Sequence, residues 1–223
     1  MASYGKAFAA WQERSASWPA YTHHAFVEGL KDGTLPNAAF LHYLRQDYVF
    51  LVHFSRAWAL AVVKADTLDE MKVAAGTVDA LVNEEMRLHV GICEAAGISE
   101  AELFATVEAS ENLAYTRYVL EAGYSGDFLD LMAALAPCVF GYSEIGTRLA
   151  VEKSSETYGE WIATYASEDY RGLCETVGAM IDAALERRLG PDYMASPRWD
   201  ALCDRFETAT RLEVSFWEMG LNP

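Results

Sequence analysis

Histidine, cysteine and proline are scarce in this chain, with five, four and six of each among 223 residues. The cysteines, at 93, 138, 174 and 203, are far apart and show no CxxC spacing. That excludes the usual zinc and dithiol redox motifs, and a chain of this size needs no disulfide framework, so all four read as thiols. Basic side chains are also few: 17 Lys and Arg stand against 33 Asp and Glu, for a net charge of -16. The cations are scattered and form no patch, which excludes nucleic acid and anionic membrane surfaces as partners. No segment reaches the charge-free span of about 18 residues that crosses a bilayer. The N-terminal MASYGKAFAAWQERSASW has no apolar core of signal-peptide length, so the expectation is a soluble, cytoplasmic protein. Missing as well are β-branched runs with strict alternation, a Pro/Gly/Ser-rich or highly charged linker, internal repeats and low-complexity tracts. A sheet is therefore not expected, and residues 1–223 read as a single domain.

What the chain has in quantity is apolar and aromatic side chains, 52% and 13% of the sequence, with twelve Tyr and six Trp. Rings with a polar tip suit a pocket or an interface. Apolar residues recur every three to four positions almost throughout, which predicts an all-α protein. Pro19 closes a first helix, Gly33 follows a second, and Pro36 lies near the start of a long one ending around Lys64. Thr67 caps a helix running to Gly97, Ser99 with Glu102 has capping-box spacing, and helices follow near 110–123 and from Asp127 to Lys153. Pro137 removes one backbone hydrogen bond from the last of these, which predicts a local irregularity beside Cys138. A short helix spans Thr157 to Ala166, Ser167 caps the next as far as Gly190, and Ser196-Pro197 opens a final helix stopped by Gly220.

Inward faces carry the candidate chemistry. On the helix from 36 to 64, one stripe reads Phe40, Leu44, Asp47, Leu51, Phe54, Trp58, Val62, and Asp47 interrupts it. On the last helix the stripe Trp199, Leu202, Phe206, Ala209, Glu213, Phe216, Gly220 is interrupted by Glu213. Leu135, Cys138, Tyr142, Ile145 and Leu149 share a face, and so do Tyr158, Trp161, Ile162 and Tyr165. Glu85, with Val78, Leu81, Leu88 and Ile92, makes a third inward carboxylate. An unpaired buried carboxylate costs several kcal/mol or takes up a proton, so these intrusions point to a polar cavity inside a bundle. Taken singly, an inward cysteine is ordinarily a small core residue. An inward carboxylate is as often the partner of a buried Tyr or Arg, and Arg45, Arg56 and Arg211 are available.

Several segments together resemble the TenA/thiaminase II family along nearly the whole chain. They are HAFVEGLKDGTLP at 24–36, RQDYVFLVHFSRAWALAVVKA at 45–65, NEEMRLH at 83–89, AYTRYVL at 114–120, APCVFGYSEIG at 136–146, EWIATYAS at 160–167 and RLEVSFWEMG at 211–220. The resemblance implies an all-α, haem-oxygenase-like multi-helix bundle, assembled as a homotetramer, with a pocket for a 4-aminopyrimidine or thiamin. It implies catalytic roles for Cys138 as nucleophile, Glu213 as acid/base group, Asp47 facing the ring nitrogens and Tyr165 orienting the thiol. Tyr115, Tyr142 and Phe216 match pocket residues, as does position 50, where Phe50 replaces the family's usual Tyr. A second departure is His24-Ala25-Phe26 in place of the more usual His-Pro-Phe, which bears on a helix start.

The chemistry explains why these residue types are wanted. An aminopyrimidine is poorly electrophilic until a ring nitrogen is protonated or strongly hydrogen-bonded, and a carboxyl group raised by burial can supply that proton, with Asp47 the candidate. A thiolate then adds to the ring, the amine leaves with help from Glu213, water adds and the thiol departs. No metal or cofactor is required. A metal oxidase of the same broad fold would draw on Glu85, His89, Asp47, Glu144 and Glu213, but a pair of Glu-x-x-His motifs is missing. Five histidines are also few for the histidine-rich pocket of cofactor-free quinone-forming relatives. A third reading is a non-catalytic pyrimidine-binding or regulatory protein.

Overall fold

The computed structural model describes residues 4–223. Along them run α1 (Lys6–Arg14), α2 (Trp18–Thr22), α3 (Ala25–Asp32), α4 (Asn37–Lys64), α5 (Leu68–Ala80), α6 (Met86–Ala95), α7 (Glu100–Phe104), α8 (Ser110–Ser125), α9 (Phe128–Glu152), α10 (Gly159–Tyr165), α11 (Glu168–Leu189) and α12 (Pro197–Leu221). A π-helical turn, Leu81–Glu85, lies between α5 and α6, and a 3-10 turn, Tyr193–Ala195, precedes α12. No strand occurs among the described residues, in keeping with the missing alternation.

Most helix ends follow the expected punctuation. Thr67 and Ser99 form reciprocal capping boxes with Glu70 and Glu102, and the Ser167 side chain accepts from the Tyr170 N–H. Each satisfies N–H groups that a helix start leaves open. One expectation is corrected. Pro19 sits in the first turn of α2 rather than closing α1, because its fixed φ and missing N–H suit a helix start. Pro137 lies inside α9, as its place in the sequence predicts. There the Tyr21 hydroxyl donates to the Pro137 carbonyl at 3.4 Å, and the Tyr170 hydroxyl and Cys174 thiol both donate to the Val139 carbonyl at 3.3 Å. Side chains thus engage the backbone on both sides of Cys138. α9 is long and apolar enough to cross a membrane, but 94% of its most apolar stretch is buried, as in a core helix.

The chain divides into two compact units, Met1–Leu35 with Met132–Val214 and Pro36–Leu131 with Ser215–Pro223. Of the three dividing points, one falls between α3 and α4 and the other two inside α9 and α12. In the first unit, α1 packs on α11, and the Asp182 carboxylate of α11 accepts from the Lys6 and Ala7 N–H groups at 2.7 and 2.8 Å. A carboxylate at a helix N-terminus is favoured by both hydrogen bonding and the helix dipole. Trp11, Trp18 and Phe8 gather around Phe206 of α12 with ring centroids 5.6, 5.6 and 6.3 Å away.

In the second unit, α4 is the central helix, with α5, α6, α7 and α8 against it. A polar latch fixes α8. Gln46 Oε1 accepts from the Ala109 N–H and the Asn112 amide, both at 3.0 Å, while Gln46 Nε2 donates to the Val107 carbonyl at 3.0 Å. Gln46 and Asn112 are both buried, so these bonds form where water cannot replace them.

Candidate active site

The second unit holds Asp47, Phe50, Tyr115 and Phe216, and each lies where its stripe or its motif predicts, facing inward. Asp47 is 2% exposed. Its Oδ2 accepts from the Tyr43 hydroxyl at 3.0 Å and lies 2.6 Å from His89 Nε2. None of Arg45, Arg56 and Arg211 is the partner; the countergroup is an imidazole.

The π turn brings that imidazole inward. Inserting one residue into a helical turn rotates everything after it by about 100°. The α-helical phase predicts Glu85, Leu88 and Ile92 on the inner face, and the structure corrects this: all three are half-buried, while His89 and Cys93 are fully buried. His89 Nδ1 is 3.0 Å from the Glu85 carbonyl. A carbonyl only accepts, so Nδ1 carries a hydrogen. Burial pushes the His89 pKa down, but the hydrogen bond and charge of Asp47, with a smaller contribution from Glu85, raise it above the ordinary histidine value overall.

Tyr43, which bonds the carboxylate, belongs to a group of packed rings. Phe50 lies 4.9 Å from Tyr115 and 5.4 Å from Phe216 between ring centroids, and Tyr43 meets Phe216 edge-on at 6.2 Å. Phe50 has no hydroxyl, so this wall is apolar where a tyrosine would add a donor. Tyr115 is placed by α8, which the Gln46 latch ties to α4 next to Asp47.

The first unit holds Cys138, Tyr142, Tyr165 and Glu213. All four are buried, with Glu213 1% exposed and Cys138 8%. Tyr142 and Tyr165 are 4.8 Å apart between ring centroids, and Trp161 lies 4.6 Å from Tyr165. Two glycines of α9 make this packing available. Gly141 leaves room for the Tyr21 ring, and a Cβ at Gly146 would come within 2.6 Å of the Tyr165 backbone. The end of α10 therefore rests directly on α9 one turn beyond Tyr142.

The other cysteines have structural settings. Burial pushes the Cys93 and Cys203 thiols up, which keeps them protonated and unreactive, and Cys174 donates to a backbone carbonyl. Glu144, weighed as a metal ligand, accepts from Gln12 Nε2 at 2.7 Å and from Trp18 Nε1 at 3.1 Å. No group of three or more His, Cys, Asp and Glu side chains placed to hold a metal ion occurs among the described residues. Sequence reasoning missed Gln46 and the pairing of His89 with Asp47. The histidine was visible in NEEMRLH and stood beside Asp47 in the metal-oxidase reading, but as a shared metal ligand rather than a direct partner.

Comparison with known proteins gives a consistent outcome. The family model described as TENA/THI-4/PQQC matches residues 11–222. A crystal structure of a protein from Silicibacter sp. TM1040, described as a TenA family transcription regulator, is 67% identical with a TM-score of 0.97, covering 99% of this chain and 98% of that one. An uncharacterized protein from Haemophilus influenzae is 41% identical over 95% of this chain and 96% of its own length. An aminopyrimidine aminohydrolase from Halalkalibacterium halodurans is 36% identical over 92% of this chain and 90% of its own length.

Proposed function

The chain belongs to the TENA/THI-4/PQQC family, has its all-α haem-oxygenase-like fold and is a hydrolase of the thiaminase II kind, and from that premise we propose its substrate and chemistry. The substrate is an aminomethyl-pyrimidine derived from degraded thiamin, converted to 4-amino-5-hydroxymethyl-2-methylpyrimidine, with intact thiamin cleaved more slowly. The observation that carries the substrate class is Asp47: a buried carboxylate with Oδ2 bonded to Tyr43 and His89, Oδ1 bonded to neither, and the Tyr43 ring packed edge-on against Phe216. Such a setting suits a flat heteroaromatic ring that presents N–H donors.

In the proposed reaction Asp47 accepts from the amino group and from a ring nitrogen that has taken up a proton, which makes the ring electrophilic. Cys138 Sγ forms a bond to a ring carbon. The ring electrons expel the exocyclic amine, which takes a proton from Glu213 and leaves as ammonia. Water adds to the resulting methylene carbon and returns a proton to Glu213, and the C–S bond breaks to restore the thiolate. Tyr165 orients the thiol, and Tyr142, Tyr115, Phe50 and Phe216 hold the ring. No step draws on a metal or cofactor, and the enzyme works as a soluble cytoplasmic homotetramer.

Purified protein is given aminomethyl-pyrimidine and thiamin in parallel, without added metal, and hydroxymethyl-pyrimidine is measured by chromatography. The expected result is faster turnover of the aminomethyl compound and a loss in Cys138→Ala of more than about a thousandfold in kcat. Undiminished turnover in Cys138→Ala overturns the mechanism. The regulator description of the Silicibacter structure favours a second reading, pyrimidine binding without turnover. A net charge of -16 weighs against direct contact with DNA phosphates in that role.

A further inference from the structure

We propose that His89 is the positioning residue of Asp47: held between a backbone carbonyl and the carboxylate, its imidazolium anchors Asp47 through Oδ2 and keeps Oδ1 as an acceptor-only oxygen for a donor on the substrate. The identity of that substrate rests on the hydrolase reading above. The pair itself stands on geometry.

Nδ1 is committed as a donor to the Glu85 carbonyl at 3.0 Å, so the ring cannot flip its roles without losing that bond. Nε2 faces Asp47 Oδ2 at 2.6 Å, at the short end even for a charge-assisted bond. Tyr43 donates to the same oxygen. Both partners of Asp47 therefore fall on Oδ2, and Oδ1 has no hydrogen-bond partner among the described residues although the residue is 2% exposed. A carboxylate oxygen with no protein donor is open to a donor from a ligand.

One proton is shared between Nε2 and Oδ2. With that proton on nitrogen, both carboxylate oxygens only accept, and an exocyclic amine or a protonated ring nitrogen fits Oδ1 while a carbonyl does not. The elements packed against α6 are α4, the π turn and α7. From α4, Asp47 and Tyr43 form the hydrogen-bonded cluster with His89; from the π turn, Glu85 adds negative charge; Glu100 and Glu102 of α7 are exposed. The two acids that act on the ring, Asp47 and Glu85, both favour its protonated form. The π turn serves this arrangement by turning His89, rather than Leu88, toward α4.

The test uses the full chain. Long-range 15N–1H correlation of the imidazoles from about pH 5.5 to about 8.5 should show one ring that keeps both N–H protons above neutral pH and loses this behaviour in Asp47→Asn. Kinetics on aminomethyl-pyrimidine should show KM raised roughly 10- to 100-fold in His89→Ala. His89→Gln, which restores a donor near Nε2 without charge, should recover most of KM and keep an altered pH profile of kcat. A merely structural histidine would leave that profile unchanged in His89→Gln, and a ring titrating at its ordinary value in the wild type would overturn the proposal. If the wild type turns over no aminopyrimidine, the hydrolase reading fails, while the imidazole spectra of wild type and Asp47→Asn still decide the pair.

Discussion

Replacing Gly146 with alanine places a methyl group against the end of α10. Its Cβ would lie 2.6 Å from the Tyr165 carbonyl carbon, 2.7 Å from Tyr165 Cβ and 2.9 Å from the Ala166 nitrogen. Ordinary contact begins near 3.4 Å, so the difference obliges the two helices to part by about 0.8 Å. Two of those neighbours are backbone atoms, which cannot rotate aside as a side-chain tip would. Overpacking of this kind costs about 1–3 kcal/mol. In a chain of this length that lowers Tm by roughly 2–12 °C. A displacement near 1 Å at a group that orients a reacting atom costs on the order of a hundredfold in rate. Thermal melts and steady-state turnover of Gly146→Ala measure both effects. Gly172→Ala is the control: nothing lies within 4 Å of its added Cβ, and alanine at an unstrained helical site stabilises by about 0.4–1 kcal/mol. If Gly146→Ala melts like the control and keeps its kcat, close approach of α10 to α9 is not what positions Tyr165.

Gln46→Leu removes the acceptor of the Ala109 N–H and the donor to the Val107 carbonyl. A loss of about 1–3 kcal/mol should follow, read as a lower Tm with faster amide exchange in the first turn of α8; unchanged exchange there would show that the latch does not hold α8. His89 titrates above its ordinary value of 6.5, so its stabilising contribution is complete below 6.5 and is lost as pH rises through the raised value. The Tm advantage of wild type over His89→Gln should therefore shrink as pH rises above 6.5, and an advantage that grows in that range refutes the assignment. His42 and His53 do not mask the effect: burial, with neighbouring arginines, lowers both, so their contributions change only as pH falls below 6.5.

Local grammar was legible where one residue decides one structure. Thr67, Ser99 and Ser167 cap as their side chains require, and the α4 and α12 stripes put Asp47 and Glu213 inside. Phase was lost after Leu81, because a pattern read at 3.6 residues per turn assumes that every turn is the same size. The π turn breaks that assumption, so Leu88 and Ile92 were chosen where His89 and Cys93 are buried. A buried Tyr or Arg was the expected kind of partner for Asp47, and Tyr43 is one; the imidazole was not anticipated, because a backbone carbonyl and not a charge pattern fixes its orientation. Gln46 left no trace in the periodicity: a glutamine beside an inward aspartate looks like a residue at the edge of the stripe, and its bonds to Ala109 and Asn112 span more than sixty positions. The roles proposed for Cys138 and Glu213 rest on resemblance, since neither spacing nor composition names a nucleophile.

The five-residue turn at Leu81–Glu85 also changes how this stretch is to be compared with its relatives. In a chain that lacked the extra residue, the position facing α4 would fall one place earlier in the alignment. An ungapped comparison would then set His89 opposite a side chain that points elsewhere. Equivalence here is spatial, and a single-residue gap between 81 and 85 would mark a change of angle about the helix axis rather than a loss of chain.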